Sequence, residues 1–222
     1  MSSEIFWIAF GDVHEDIGNL NRIPHIEKAR GVLISGDLTN VGTKARAEHL
    51  IEQIKAYNSN IYAQIGNMDT KGVEEYYEQI NVNVHNELVA LAPEVFLLGL
   101  GYSIPTPFAT PSEVEEKQVD LWLKGKIEQA LKCSHLIFMT HTPPYQTKTD
   151  KVASGVSVGS QAVRKFIEQV QPEVCITGHI HEARAVDYIG KTKIINPGPL
   201  SSGGYVKIVF ENNRLEAELL QV

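Results

Sequence analysis

Five segments of the sequence place residues that commonly bind metal ions directly after a short apolar run. They are Gly11-Asp12-Val13-His14, Gly36-Asp37, Gly66-Asn67-Met68-Asp69, His141 and Gly178-His179-Ile180-His181. Each segment alone is weak evidence, because a Gly-Asp pair usually forms a turn and a single histidine is more often structural than a ligand. The five together indicate one shared site. A glycine before a ligand also permits a sharp turn and a close backbone approach.

The side-chain types indicate which ions such a site would hold. Carboxylates, an amide and imidazoles, without a thiolate, suit Mn²⁺, Fe, Zn²⁺, Ni²⁺ or Co²⁺ rather than an iron–sulfur cluster. The other four histidines lie in no such context, and we interpret them as ordinary surface or core residues: His25, His49, His85 and His135.

The apolar runs before these segments predict short strands that are buried on both faces. They cover residues 5–10, 31–35, 61–65, 136–140 and 173–177. In open α/β sheets, ligands bind at the carboxyl ends of such strands. Amphipathic segments between the runs predict helices over 43–57, 112–131 and 160–169, and the second of these helices begins with a capping-box sequence at 112–115.

Two further regions read as strands rather than as alternating strands and helices. Residues 82–102 predict short strands, and residues 183–222 predict a strand meander with turns at Gly190, 202–204 and Asn212-Asn213. The chain contains no linker, repeat or low-complexity run, so we expect an α/β fold in one domain over residues 1–222. The long connections at 104–111 and 142–159 are candidates for functional loops.

The composition excludes several classes of protein. The chain has 222 residues, of which 43% are hydrophobic and 21% charged, so it can bury a sizeable core and is not predominantly disordered. Its net charge of −7 argues against a general nucleic-acid binder, which needs a basic surface for phosphates. A small anionic substrate stays compatible with this charge, because bound metal ions can reverse the sign of a pocket.

Cysteine usage and hydropathy bear on the compartment. Cys133 and Cys175 lie at or in apolar runs, which predicts two reduced, buried thiols in a cytoplasmic protein. The first residues lack the basic start of a signal peptide, and no run approaches about eighteen apolar residues. We therefore expect no membrane partner.

The order of the motifs resembles that of the calcineurin-like metallophosphoesterase superfamily, and in particular its small prokaryotic phosphodiesterase-like members. The family order is Asp-x-His, Gly-Asp, Gly-Asn-His-Asp/Glu, a single His, then Gly-His-x-His. The resemblance runs from Asp12 to His181, and the segment Asn196-Pro197-Gly198-Pro199-Leu200 extends it. It implies a two-sheet β-sandwich flanked by helices.

The resemblance also implies a centre of two divalent metal ions. One ion would be held by Asp12, His14, Asp37 and His181. The other would be held by Asp37, Asn67, His141 and His179, so that Asp37 bridges the pair. Two ions that share a carboxylate lie about 3.5–4 Å apart, and a hydroxide between them would attack a phosphate ester while the ions clamp its oxygens. Asp37, Asn67 and His141 are thereby predicted to be catalytic.

One position departs from the family. Met68 stands where the family has the histidine assigned to phosphate contact and to protonation of the leaving group, and a thioether can do neither. Asp69 either orients a ligating histidine or caps the helix that follows, and both interpretations stay open. Lys148 could contact a phosphate, although a position on a solvated loop is the favoured interpretation.

We therefore predict a cytoplasmic, dinuclear metal-dependent phosphoric ester hydrolase that acts on a small phosphate ester. A phosphodiesterase is favoured over a phosphomonoesterase, because Glu15 and Asp16 would repel a dianion. One alternative is a weak or inactive metal-binding scaffold of the same fold, and another is a nuclease subunit. The acidic charge argues against a nucleic-acid partner, and the sequence leaves open whether copies associate as a homo-oligomer.

Overall fold

The computed structural model describes residues 4–222, which form two β-sheets and four α-helices. The strands are β1 (Ile5–Phe10), β2 (Val32–Ile34), β3 (Ile61–Ala63), β4 (Leu88–Ala92), β5 (Val95–Leu100), β6 (His135–Thr140), β7 (Val174–Ile176), β8 (Ala185–Ile189), β9 (Thr192–Asn196), β10 (Gly204–Glu211) and β11 (Arg214–Gln221). The helices are α1 (Lys44–Lys55), α2 (Lys71–Gln79), α3 (Glu116–Ala130) and α4 (Gln161–Val170). None of the helices within residues 4–222 has the length and hydrophobicity that a membrane-spanning segment requires.

The two sheets each contain a block of parallel strands. The five-stranded sheet has the order β11-β10-β1-β2-β3, in which β1, β2 and β3 are parallel. The six-stranded sheet has the order β4-β5-β6-β7-β9-β8, in which β5, β6, β7 and β9 are parallel. The carboxyl ends of each block therefore lie at one edge of its sheet.

The sheets pack face to face, and helices cover both outer faces. In β1, Trp7 and Ala9 enter the core between the sheets, whereas Ile8 and Phe10 pack with residues of α1 and α2. This alternation follows from the two-residue period of a strand. On the other sheet, Phe138 packs outward with residues of α3 and α4. The predicted two-sheet β-sandwich flanked by helices is confirmed.

The predicted start of the second helix is wrong. The helix α3 begins at Glu116, and Ser112 does not cap it. The backbone N–H of Ser112 instead donates to the carbonyl of Asn67, and its hydroxyl donates to the carbonyl of Asp69. Ser112 is therefore used to fasten one loop to another. By contrast, Ser160 caps α4 as expected, since its hydroxyl accepts from the N–H of Val163.

The predicted C-terminal meander is two hairpins in different sheets. The pair β8 and β9 joins the six-stranded sheet, and the pair β10 and β11 joins the five-stranded sheet. The turn between β10 and β11 falls at Asn212-Asn213, as predicted, and both residues have positive φ. Alternating hydrophobicity identifies a strand but not the sheet that accepts it, so the sequence did not separate the two hairpins.

The two cysteines are free thiols, as predicted. Cys175 is buried in β7, but Cys133 is only half-buried, which corrects its predicted burial. It lies after the end of α3, where the chain turns toward β6 and one side of the residue faces solvent.

Candidate metal centre

The five predicted segments meet at one end of the sandwich. Three of them follow β1, β2 and β3 of one sheet, and the other two follow β6 and β7 of the other sheet. The site is thus shared between the carboxyl edges of two facing sheets, rather than formed along the edge of one. Parallel pairing within each block brings these strand ends together.

A first group of donor atoms comes from Asp12, His14, Asp37 and His181. The Nε2 atoms of His14 and His181 lie 3.0 Å apart. An oxygen of Asp12 lies 3.5 Å from Nε2 of His181, and Oδ2 of Asp37 lies 3.7 Å from Nε2 of His14. The four side chains therefore turn their donor atoms toward a common point.

A second group comes from Asp37, Asn67, His141 and His179. Oδ1 of Asn67 lies 3.0 Å from Nε2 of His141 and 2.7 Å from Nδ1 of His179. Oδ2 of Asp37 lies 3.4 Å from Nε2 of His141. The same Asp37 oxygen also faces His14 in the first group, so this carboxylate lies between the two sets.

The donor atoms fit two divalent ions. Two ligands at right angles, each about 2.1 Å from an ion, are about 3 Å apart. The distances of 2.7–3.7 Å within the two groups bracket that value. Asp12 and Asp37 are almost fully buried, and burying carboxylates is costly unless positive charge compensates them. These residues can therefore hold the ions that the sequence predicts.

Hydrogen bonds outside the two groups orient the imidazole rings. Nδ1 of His14 donates to Oδ1 of Asn40 at 2.7 Å, and Nδ1 of His141 donates to the carbonyl of Ser35 at 3.1 Å. Because these oxygens can only accept, each Nδ1 carries a proton and each Nε2 is available to a metal. The amide of Asn67 is oriented in the same way, since its Nδ2 donates to the hydroxyl of Thr110 at 3.0 Å.

The backbone is strained at four of the candidate ligand positions. Asp12, His14, Asp37 and His179 have φ between 45° and 70°, the left-handed region that residues with a side chain rarely adopt. Such strain persists only where the surrounding structure enforces it, and it concentrates at functional sites. The glycine prediction is also confirmed, because a Cβ at Gly66 would collide with the Asp37 carboxylate.

The charges in the site perturb one another when no metal is present. Burial opposes ionisation of Asp12, but its contacts with His181 and the other imidazoles outweigh this and lower its pKa to about 2. Burial likewise opposes charge on His141, but Asp37 and Asp12 raise the pKa of its ring to about 9. Burial and the charge of His141 lower the pKa of His179 to about 4. A cation is therefore favoured among these carboxylates.

Asp69 has neither of the two roles considered from the sequence. It contacts no ligating histidine through a hydrogen bond, and Thr70 occupies the N-cap position of α2. Its buried carboxylate accepts from the N–H groups of Leu38, Thr39 and Gly66 and from the Thr39 hydroxyl, at 2.8–3.1 Å. Asp69 thus joins the loop of Asp37 to the loop of Asn67.

Met68 borders a cleft that opens beside the two groups. Its N–H donates to Oδ1 of Asp37 at 2.7 Å, and its half-buried side chain lines the cleft, which has a volume of about 1030 Å³. The 104–111 loop and residues of the 142–159 loop line it too, so both long connections reach the candidate site.

Three other residues that the sequence suggested would influence the substrate lie outside the cleft lining. Lys148 is exposed on a short turn, its N–H donates to Asp187, and it does not line the cleft. Glu15 pairs with Arg46 at 2.9 Å, and neither Glu15 nor Asp16 lines the cleft. Apart from the candidate ligand Asp37, the acidic residue that lines the cleft is Glu182.

Some supporting residues were not found from the sequence. Asn40 and Thr110 orient His14 and Asn67, and Glu113 accepts three hydrogen bonds from the loop that contains Thr110. Asn196 donates to the carbonyl of Ile180 at 2.9 Å and so supports the turn between the two final histidines. Asn196 is the exception, because its segment after Gly-His-x-His was already identified from the sequence.

Comparison with known proteins agrees with this arrangement. Residues 8–183 match the family model of calcineurin-like phosphoesterases. An uncharacterized protein of Methanocaldococcus jannaschii is 31% identical over 175 residues, which cover 77% of this chain and 78% of that protein.

Two solved structures share the fold. TT1561 of Thermus thermophilus has a TM-score of 0.75 at 16% identity, over 97% of this chain and 99% of that one. A dimetal phosphatase from Danio rerio has a TM-score of 0.63 at 12% identity, over 98% of each chain.

Proposed function

The chain belongs to the calcineurin-like phosphoesterase family, and from that premise we propose that it is a dinuclear metal-dependent phosphodiesterase acting on small phosphate diesters. The observation that carries the proposal is the convergence of two four-residue donor groups on one shared carboxylate, Asp37. A metal-binding scaffold that had lost catalysis would not need all the donor residues of both groups.

The ions, when bound, would supply positive charge for the phosphoryl oxygens and lower the pKa of water. The residues of the chain hold and orient this centre. The N–H of His179 donates to both oxygens of Asp12 at 3.0–3.1 Å, and the N–H of Met68 fixes Asp37. These bonds keep the carboxylates in place before a substrate arrives, which limits reorganisation during the reaction.

The surroundings of the centre favour a diester over a monoester. Among the described residues, the cleft lining contains no lysine or arginine, and Glu182 adds negative charge. A phosphomonoester dianion needs more positive charge than a diester monoanion. Met68 also offers no proton to a departing oxygen, so a good leaving group is needed. We propose Mn²⁺ as the working ion, with Fe, Ni²⁺, Co²⁺ and Zn²⁺ compatible with the same nitrogen and oxygen donors.

The experiment is a substrate panel on the metal-reconstituted protein. It compares aryl phosphodiesters, cyclic nucleotides, phosphomonoesters and single-stranded DNA with Mn²⁺, Ni²⁺, Co²⁺ or Mg²⁺. We expect the highest kcat/KM for aryl phosphodiesters with Mn²⁺, and loss of that activity in His141→Ala. His49→Ala is the matched control, because His49 is exposed on α1.

The alternatives predict other outcomes in the same panel. Metal binding without turnover of any ester would support the inactive scaffold. The one structural observation in favour of that alternative is that Met68 cannot donate a proton. Preference for DNA would support the nuclease subunit. Preference for monoesters would contradict the assignment as a phosphodiesterase.

A further inference from the structure

The 104–111 loop forms one wall of the cleft beside the metal-binding groups. Its apolar members include Ile104, Pro105, Pro107 and Phe108. The Phe108 side chain is 83% exposed, the most exposed of the large hydrophobic residues in the described chain. An aromatic ring left in water at the rim of a concave site is available to a ligand.

This wall is held in place rather than left as a free loop. Oε1 of Glu113 accepts from the hydroxyls of Thr106 and Thr110 and from the Thr110 N–H, at 2.5–2.8 Å. At the base of the loop, Ser103 and Ser112 pair through their backbones at 3.1 Å. Three prolines, at 105, 107 and 111, also restrict the backbone. The ring of Phe108 is thus carried by an ordered segment.

The apolar surface continues from the wall to the metal-binding groups. Met68 reaches it from the loop of Asn67, and Val41, Val152 and Val158 extend it on other sides. Val41 is 54% exposed, so it too has apolar surface that the protein does not cover. Among the described residues the lining carries no lysine or arginine, and Glu182 adds negative charge, so the part of a ligand that lies beyond the phosphate should carry no negative charge.

We propose that this cleft is a subsite for an apolar, preferably aromatic, organic group of a phosphodiester, seated against Phe108 and Met68 while the phosphate lies at the metal centre. The proposal rests on the proposed phosphodiesterase function and names its substrate class. The apolar surface is continuous with the metal-binding groups, so an organic group attached to a phosphate at the centre would lie on it.

The test separates the organic group from the leaving group. Phenyl 4-nitrophenyl phosphate and methyl 4-nitrophenyl phosphate release the same phenolate, so the ratio of their kcat/KM values reports contacts to the remaining group. We expect the wild-type protein to prefer the phenyl ester, and Phe108→Ser to lower that preference about five- to tenfold. Leu131→Ser is the control, because Leu131 is a similarly exposed apolar residue at the end of α3 outside the cleft.

A binding measurement keeps the result independent of turnover. Calorimetry with the Mn²⁺-loaded protein compares diphenylphosphinate with dimethylphosphinate, which are not hydrolysed. We expect tighter binding of the diphenyl compound and a similar five- to tenfold loss in Phe108→Ser. Equal ratios in wild type and Phe108→Ser, in both assays, would overturn the subsite. If no ester is hydrolysed but Phe108→Ser still weakens binding of diphenylphosphinate, the proposed function is overturned and the subsite is retained.

A separate observation, the chain of hydrogen bonds from Glu113 through Thr110 to Asn67, carries a second inference. The Thr110 hydroxyl donates to Oε1 of Glu113, so only its lone pairs are left for the Nδ2 of Asn67. This orders the amide of Asn67 with Oδ1 toward His141 and His179. We infer that Glu113 is a positioning residue for the second metal ion.

Metal affinity tests this inference without any substrate. We expect Glu113→Ala to weaken Mn²⁺ binding at one of two sites by about tenfold or more, as loss of an outer hydrogen-bond partner commonly does. Glu113→Gln keeps an acceptor and should recover most of the affinity. Glu115→Ala is the control, because Glu115 is exposed and its side chain caps no helix. Wild-type Mn²⁺ affinity in Glu113→Ala would show that the residue only supports the loop.

Discussion

The buried carboxylate of Asp69 joins the two loops that hold Asp37 and Asn67, and Asp69→Asn tests this role with almost no change in shape. Burial and the charge of Asp37 raise the pKa of Asp69 to about 6, so the group is ionised at pH 7.5. Oδ1 accepts from the N–H and hydroxyl of Thr39, and Oδ2 accepts from the N–H groups of Leu38 and Gly66.

The expected loss follows from these four hydrogen bonds. An asparagine has one oxygen and one NH₂, so at least one buried N–H group must face another donor. An unsatisfied buried donor costs about 1–3 kcal/mol, and loss of the charge from the other bonds adds about 1 kcal/mol. We expect the free energy of unfolding to fall by about 2–4 kcal/mol. Displacement of both loops should also weaken Mn²⁺ binding about 10–100-fold.

The measurements are urea unfolding of the metal-free protein at pH 7.5 and calorimetric titration with Mn²⁺. The control is Asp120→Asn, which removes one partner of the helical ion pair with Lys124 and should cost less than about 0.5 kcal/mol. The reasoning is refuted if Asp69→Asn unfolds within about 1 kcal/mol of wild type and binds Mn²⁺ with unchanged affinity.

Two further predictions concern proton transfer and acid stability. Met68→His should supply the absent proton donor and raise kcat/KM for alkyl phosphodiesters by about 10² or more, with little gain for aryl esters, whereas equal gains would contradict this role. Burial, with a smaller effect of Lys126, lowers the pKa of His85 to about 4, below the unfolded value of about 6.5. Because the unfolded chain then binds a proton more readily than the folded protein, His85 lowers the free energy of unfolding as pH falls from about 6.5 toward 4. Wild type should lose about 2 kcal/mol more than His85→Gln between pH 7 and 5, and parallel urea midpoints would contradict this.

The parts of the fold that local patterns specify could be predicted from the sequence. The buried runs before Asp12, Asp37 and Asn67 are strands because their residues suit burial on both faces, and the predicted bounds differ from β1, β2 and β3 by two residues at most. The candidate ligand residues were identifiable because each belongs to a segment that follows such a run. Pairing of the parallel strands brings these residues together at one end of the sandwich. The order of the motifs had implied such a shared site.

Features that depend on contacts distant in sequence could not be predicted. Ser112 has the sequence signature of a helix cap, but it bonds to the carbonyls of Asn67 and Asp69, which no local pattern encodes. The role of Asp69 depends on the loop of Asp37, because the N–H of Leu38, 31 residues earlier in the sequence, donates to its carboxylate. Thr110 and Glu113 belong to a segment in which the prolines predict a loop, but no pattern there predicts a role for these two side chains. Their partners are visible only in three dimensions.

The most direct test of the two-ion centre is the number of Mn²⁺ ions bound per chain at saturation, measured by calorimetry and elemental analysis on wild type, Asp37→Ala and His14→Ala. Since Asp37 faces both donor groups and His14 only one, we predict two ions in wild type. His14→Ala should keep one ion at its original affinity, and Asp37→Ala should weaken both. One ion per wild-type chain, or one site of unchanged affinity in Asp37→Ala, would contradict the shared carboxylate.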